Sequence, residues 1–289
     1  MPEKWQILDL VKKAFEEDLY FGDITTELLV DPELKGLANF VAKEDLVLCG
    51  TEVAKESFLF IDPELKVNWF FKDGDEVKAR SIIGEVKGSV KSILKAERVA
   101  LNFLQHLSGI ATQVRKAVKI LEPFSTKILD TRKTLPGLRV LQKYAVKVGG
   151  GLNHRHSLSE EVLIKDNHLV ALGGLEKVIE RLKKVKIPHY VKVEVEVSSI
   201  EELKVLLDKG KDLVDIVLLD NFSPEEVKQA VKLLKKSGSK VKVEISGGIT
   251  LENLTKFAEA GADYISSGAL THSVKAVDIS LKLEKRSLT

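Results

Sequence analysis

Cysteine is almost missing. Cys49 is the only one in 289 residues, so no disulfide can close within the chain, and a reducing compartment, the cytoplasm, is expected. Long apolar runs are missing too. The longest, such as Phe58 to Ile61 and Ile216 to Leu219, are four residues, whereas a bilayer span needs ~20. The start, Met-Pro-Glu-Lys-Trp, carries neither the basic stretch nor the apolar core of a secretory signal. There is no marked charge excess either: 45 Lys and Arg against 43 Asp and Glu leave a net charge of +2. A nucleic-acid partner is therefore not expected, and any positive charge that matters must be clustered. Neither a P-loop nor a dinucleotide G-x-G-x-x-G fingerprint occurs. What is present is a globular balance, 44% hydrophobic and 30% charged, in a chain long enough for one large domain or two smaller ones.

Residues 4–15 set Ile7, Leu8, Val11, Ala14 and Phe15 at helical spacing. From Leu37 to Glu85 the pattern turns to short β-prone segments, such as Ala38–Val41 and Val67–Phe71, with a turn at Asp73-Gly74-Asp75 and a plain β-hairpin expected over 72–91. A long amphipathic helix follows near Lys95 to Leu121. From Ile128 onward short apolar strands alternate with helices, and strand ends fall near Asp130, Lys165, Glu196, Asp220, Ser246 and Ser267. Ser199 with Glu202, and Ser223-Pro224-Glu225-Glu226, are helix-start patterns, and Gly210, Gly238 and Gly261 sit where helices stop. The expected architecture is an α+β domain over 1–105, joined by 274–289, and an α/β barrel over 106–273.

The strand ends carry the chemistry. Arg132 and Lys133 follow the first, Arg155 lies in the segment Gly149 to Arg155, and Lys165 ends the next strand. Arginine offers a planar fork for carboxylates and phosphates, lysine a point charge. Any one of these is more simply a solvated surface charge; four at successive strand ends beside glycine-rich loops point to an anionic ligand. Val193-Glu194-Val195-Glu196-Val197 alternates strictly, and Asp220 ends the next strand. Glu196 and Asp220 are hard oxygen donors suited to Mg²⁺ or to ribose hydroxyls, against the simpler reading of a buried ion pair. Ser246-Gly247-Gly248-Ile249 and Ser266-Ser267-Gly268-Ala269 each follow a strand and open a helix, the setting of a phosphate cradle. His154-Arg155-His156 is an H-x-H pair without the further strand-end histidines of a metal hydrolase. Lys165 also suits a Schiff-base role. His106 and His189 read as structural.

Asp130 to Arg139, Gln142 to Val146, Gly149-Gly150-Gly151, Asn153-His154-Arg155, Ile164 to His168, Glu194-Val195-Glu196, Leu219-Asp220-Asn221 and Ser246 to Ile249 together resemble the quinolinate phosphoribosyltransferases. Asp18, Gly22-Asp23 and Thr25-Thr26 extend the likeness to the N-terminus. One stretch departs: Ser159-Glu160-Glu161 is more acidic than the family pattern. The resemblance implies an open (β/α) barrel of type II phosphoribosyltransferases with an N-terminal sandwich. It implies transfer from phosphoribosyl pyrophosphate to quinolinate with loss of CO₂, using Mg²⁺, in NAD biosynthesis. It also implies a homodimer or a dimer-based hexamer. Carried onto this sequence, Arg132, His154 and Arg155 resemble the quinolinate ligands, with Arg98 reaching in from a partner subunit. Lys133, Lys165, Ser246, Gly247, Gly248, Ser267, Gly268 and His272 resemble the phosphoribosyl pyrophosphate ligands, and Glu196 and Asp220 the metal ligands. Lys133, Lys165, Glu196 and Asp220 would form the catalytic set. Three other readings stay open at this point: a related phosphoribosyltransferase associated with molybdate transport, a nicotinate phosphoribosyltransferase, and a non-catalytic phosphate-ligand sensor.

Overall fold

The computed structural model describes residues 2–284. In chain order the elements are α1 (Lys4–Asp18), α2 (Ile24–Leu29), β1 (Lys35–Ala42), β2 (Leu46–Val47), α3 (Thr51–Ile61), β3 (Lys66–Trp69), β4 (Glu76–Val77), β5 (Ile82–Ser89) and α4 (Val90–Leu121). Then come β6 (Lys127–Leu129), α5 (Arg139–Gly149), β7 (Val162–Ile164), α6 (Asp166–Leu172), α7 (Leu175–Leu182), β8 (Val193–Val197), α8 (Ile200–Lys209) and β9 (Ile216–Asp220). The series closes with α9 (Pro224–Lys236), β10 (Lys242–Ser246), α10 (Leu254–Glu259), β11 (Tyr264–Ser266), α11 (Ala269–His272) and β12 (Ile279–Leu283).

The chain divides into two compact units. The first takes the chain through Arg115, then Thr134–Gly150, then the chain from Thr271 on; the second takes Lys116–Lys133 and Gly151–Leu270. The expected boundary at 105/106 cuts α4, whose apolar face runs unbroken through that point, with Leu101, Leu104, Leu107 and Ile110 all buried.

The first unit is built on an antiparallel sheet ordered β12-β1-β5-β3. Of the expected C-terminal return over 274–289, residues 279–283 form β12, which pairs with β1, and residues 285–289 lie outside the described residues, as does Met1. The hairpin expected over 72–91 does not form. β4 pairs with β2, while β5 pairs with β1 and β3. The turn residue Asp73 is committed elsewhere: its carboxylate accepts from the Gly50 and Thr51 N–H groups and so closes the start of α3. Tyr144 Oη donates to the same carboxylate at 2.8 Å, tying α5 to that loop. α2 and α5 were not evident from sequence periodicity.

The second unit is an open (β/α) barrel. Its six parallel strands run β6-β11-β10-β9-β8-β7, and Leu152 adds a parallel bridge beside Leu129. The strands end at Leu129, Ile164, Val197, Asp220, Ser246 and Ser266, within a residue of the ends read from the sequence. The helices start where their side chains close orphan N–H groups: Ser199 accepts from Glu202 N, and Ser223 and Glu226 cap each other reciprocally with Pro224 at the first turn. Among the described residues no helix is long and apolar enough to cross a membrane.

Candidate active site

Parallel register fixes what the barrel presents at its strand ends. Glu196 pairs with Leu218, Leu218 with Glu244, and Asp220 with Ser246. Parallel partners in register point to the same face, so these side chains form successive layers on one surface. A cavity of roughly 440 Å³ opens over them, within the usual range for a small-ligand site. It is lined by Arg132 and Lys133 after β6, by His154 and Arg155, by Lys165 and Asp166 after β7, by Glu196 and Asp220, and by Glu244, Ser246 and Ser266.

Of the residues singled out from sequence, the structure thus brings together Arg132, Lys133, His154, Arg155, Lys165, Glu196, Asp220 and Ser246. Gly247 and Gly248 directly follow a lining residue. At the other loop Ser266 lines the cavity, while Ser267 donates its N–H to Leu129 O, and Gly268 follows it. Arg98 on α4 and His272 on α11 belong to the first unit and are not among the lining residues.

Buried Asp130 organises the 153–155 segment. Its carboxylate accepts from Asn153 Nδ2 at 2.6 Å and from His154 N at 2.9 Å. Arg155 then donates its backbone N–H to His154 Nδ1, and its Nη1 to Glu161 O. Burial, and next the Arg132 charge, lower the Arg155 pKa, which marks a cationic wall waiting for an anion. Lys165 Nζ stands 3.7 Å from Glu196 Oε2. Burial raises the Glu196 pKa, the Lys165 charge opposes this, and Asp220 adds to it. Asn221 sits in the left-handed region at φ 58°, donating Nδ2–H to Asp220 Oδ2. Its side chain lies against Gly247: a Cβ there would come 2.1 Å from Asn221 Oδ1, and φ is +97°. Only glycine fits.

Beneath the cationic wall lies an acidic group that the sequence reading did not single out as a site. Glu194 is fully buried and Glu244 nearly so. His154 Nε2 stands 3.1 Å from Glu194 Oε2 and 3.5 Å from Glu244 Oε1, and Glu161 approaches Nδ1 at 3.8 Å. Neither Glu194 oxygen receives a well-formed hydrogen bond. Burial first, and the Glu161 carboxylate second, push the Glu194 carboxyl up to about 9. Burial, then Glu194, push Glu244 up to about 8. His154, Glu161 and Glu194 bring ligand-type atoms within 4.8 Å of one another. Nδ1 already accepts the Arg155 N–H, and the Arg155 charge acts on both Glu161 and Glu194. The signal for Glu244 was the alternation Lys242-Val243-Glu244-Ile245-Ser246, which puts it on the face of Ser246. Glu161 belongs to the stretch that departs from the family pattern.

Domain families described as quinolinate phosphoribosyl transferase, N-terminal domain and C-terminal domain, match residues 23–108 and 110–282. The chain belongs to the quinolinate phosphoribosyltransferase family. Among similar members, the probable nicotinate-nucleotide pyrophosphorylase [carboxylating] of Bacillus subtilis is 41% identical over 276 residues, 96% of this chain and 93% of that protein. The probable nicotinate-nucleotide pyrophosphorylase [carboxylating] of Methanocaldococcus jannaschii is 42% identical over 282 residues, 96% of both. The solved structure of the nicotinate-nucleotide pyrophosphorylase from Francisella tularensis superposes with a TM-score of 0.90 at 40% identity, covering 98% of each chain.

Two outcomes follow for this family member. Glu194 has a folded pKa above its ordinary value of 4.5, so the folded state binds the extra proton. Its favourable contribution is complete below pH 4.5 and is lost as pH rises toward 9. Glu194→Gln is therefore expected to melt progressively higher than the unaltered protein between pH 5 and 9, by about 2–4 °C per kcal/mol; calorimetry across that range checks this. Gly247→Ala is expected to destabilise the fold by about 1–3 kcal/mol through the Asn221 overlap. Gly248→Ala, with φ +61° but nothing within 4 Å of its Cβ, is expected to cost less; scanning calorimetry compares the two.

Proposed function

We propose that this chain is a decarboxylating quinolinate phosphoribosyltransferase, making nicotinate mononucleotide, pyrophosphate and CO₂ from quinolinate and phosphoribosyl pyrophosphate. The observation that carries this is the gathering in one cavity of two arginines and two lysines with Glu196, Asp220 and Ser246, the residue that opens the glycine-rich loop. A dicarboxylate beside a pyrophosphate asks for that division. The names of the relatives support the same reading.

Arg132 and Arg155 take the two carboxylates of quinolinate. Their forks hold the flat ring with its nitrogen toward the sugar, which converts a bimolecular encounter into a positioned attack. His154 shapes this end of the site: its Nδ1 is already bonded to Arg155 N–H and its Nε2 faces Glu194. Lys133 and Lys165 neutralise the phosphates, and Lys165 follows the leaving pyrophosphate. Ser246, Gly247 and Gly248, with Ser267 and Gly268, receive the 5′-phosphate. Glu196 and Asp220 accept the ribose hydroxyls and stabilise positive charge as it builds on the sugar. They also fit Mg²⁺: two hard carboxylates on neighbouring strands, with the Asp220 charge raising the Glu196 pKa, suit an ion that takes one or two carboxylates plus substrate oxygens. When bound, Mg²⁺ lowers the cost of charge on the departing pyrophosphate. The active assembly is a homodimer or dimer-based hexamer in which Arg98 serves a neighbouring subunit's site, working in the cytoplasm.

Pyrophosphate release is measured with quinolinate and with nicotinate, with and without Mg²⁺. Turnover with quinolinate that needs Mg²⁺ is expected; turnover on nicotinate alone, or on neither, overturns the reading. Arg132→Ala is expected to lower kcat/KM for quinolinate at least ~10³-fold with the melting temperature retained, since a buried anion loses its charged partner. For the shared site, inactive Arg98→Ala and Arg132→Ala subunits are mixed. Regained activity, up to about a quarter of that expected for unaltered sites by random pairing, is the expected outcome; a mixture that stays inactive counts against it.

A further inference from the structure

The overall reaction replaces a carboxylate on the pyridine ring with hydrogen, so a proton must reach carbon. The acidic group under the cationic wall is where a proton is held. Glu161, Glu194 and Glu244 surround a single imidazole. His154 Nδ1 accepts the Arg155 N–H, so Nε2 carries the one ring proton. One N–H cannot settle three carboxylates at these distances, and like charges this close do not all ionise. At least one carboxyl keeps its own proton.

Glu244 is the member of this group that meets the cavity. It lines the same wall as His154 and Arg155 although only 2% of its surface is exposed. Glu194 and Glu161 do not line it. Glu194 on β8, and His154 and Glu161 on the 152–161 segment, face it; Ser266 on β11 hydrogen-bonds to it. β9 offers only Leu218 at the paired position. An aromatic dicarboxylate gripped by Arg132 and Arg155 therefore lies against the Glu244 carboxyl.

We propose that Glu244 is the acid that protonates the ring carbon from which CO₂ departs, a role that rests on quinolinate being the substrate. In quinolinate mononucleotide the bond from C2 to its carboxylate breaks. The electron pair stays on C2, next to the pyridinium nitrogen, and CO₂ leaves. The Glu244 O–H proton transfers to C2, completing nicotinate mononucleotide, and the resulting carboxylate is reprotonated from solvent after product leaves. Burial, the first cause, pushes the Glu244 carboxyl up to about 8, so the acid form predominates at neutral pH. Lys133 and Lys165 are poorer sources, because losing a proton would remove the charge that holds the phosphates.

The test compares Glu244→Gln and Glu244→Asp in the full enzyme with Mg²⁺ and both substrates. Pyrophosphate release and labelled CO₂ release from the quinolinate 2-carboxylate are followed from pH 6 to 10, with mass spectrometry of the nucleotides. In Glu244→Gln, CO₂ release is expected to fall on the order of 10²-fold, more than pyrophosphate release does, and quinolinate mononucleotide accumulates. The unaltered enzyme's CO₂ release is expected to decline as pH rises through about 8, and this decline disappears in Glu244→Gln. Glu244→Asp restores decarboxylation in part and keeps a basic limb. It decides the matter should the glutamine variant fail to fold. Parallel loss of both products at every pH, or a basic limb that survives in Glu244→Gln, overturns the assignment. So does a tightly held divalent metal that is lost in Glu194→Gln. An unaltered enzyme that never uses quinolinate instead refutes the substrate reading, a different and separable result.

Discussion

The site depends on register. β8, β9 and β10 are parallel, and their pairing puts Glu196, Leu218 and Glu244 in one layer and Asp220 with Ser246 in the next. A one-residue slip in any of these strands would turn its chemistry outward and its valines and leucines into the cavity. The strand interiors behind these side chains are buried. Val195, Val197, Val217, Leu219 and Ile245 are all fully buried on the opposite face. The catalytic surface is thus specified by the apolar residues behind it as much as by the polar residues in it.

On that platform the charges are stratified. The cations sit on loops that follow the strands, where their long side chains reach the cavity and stay solvated. The acids Glu194 and Glu244 sit on the strands themselves, where rotation is limited and water is excluded. This separation decides which groups titrate abnormally. The buried strand acids are pushed upward. A chain with almost no net charge can still present a cationic mouth, because two of the acids below it, Glu194 and Glu244, are pushed toward their neutral forms by burial.

Much of this was legible in the sequence. Strand ends, caps and the βα rhythm follow from local chemistry: Ser223, Pro224 and Glu226 announce α9 whatever else the chain does. The strand-end cations, Glu196 and Asp220 were legible for the same reason, since a polar residue closing an apolar strand is a local signal. Other features were not. The 72–91 segment read as a hairpin because strand partners are a tertiary choice, and Asp73 is claimed by the start of α3, some 20 residues away. α5 went unread although Leu141, Ala145 and Val146 recur at helical spacing, because its buried face also holds the polar Gln142 and Lys143. Glu161 was visible only as an odd residue; that it turns inward toward His154 and Glu194 is a matter of loop geometry.

The position of Glu161 bears on why the acidic group stays protonated. Without it, Glu194 and Glu244 would face Arg155 and His154 as two acids against one fixed cation, and one of them could ionise against Arg155. A third carboxyl removes that balance. Its negative charge is the largest influence after burial on Glu194, and Glu194 in turn is the largest after burial on Glu244. The Glu161 charge also raises Glu244 directly, and Glu244 is the member of this acidic group that meets the cavity. Moving charge at position 161 should therefore be felt at position 244 without contact between them. The acidic departure at Ser159-Glu160-Glu161 is then not an ornament of a surface loop but part of how this enzyme holds a proton where decarboxylation needs one.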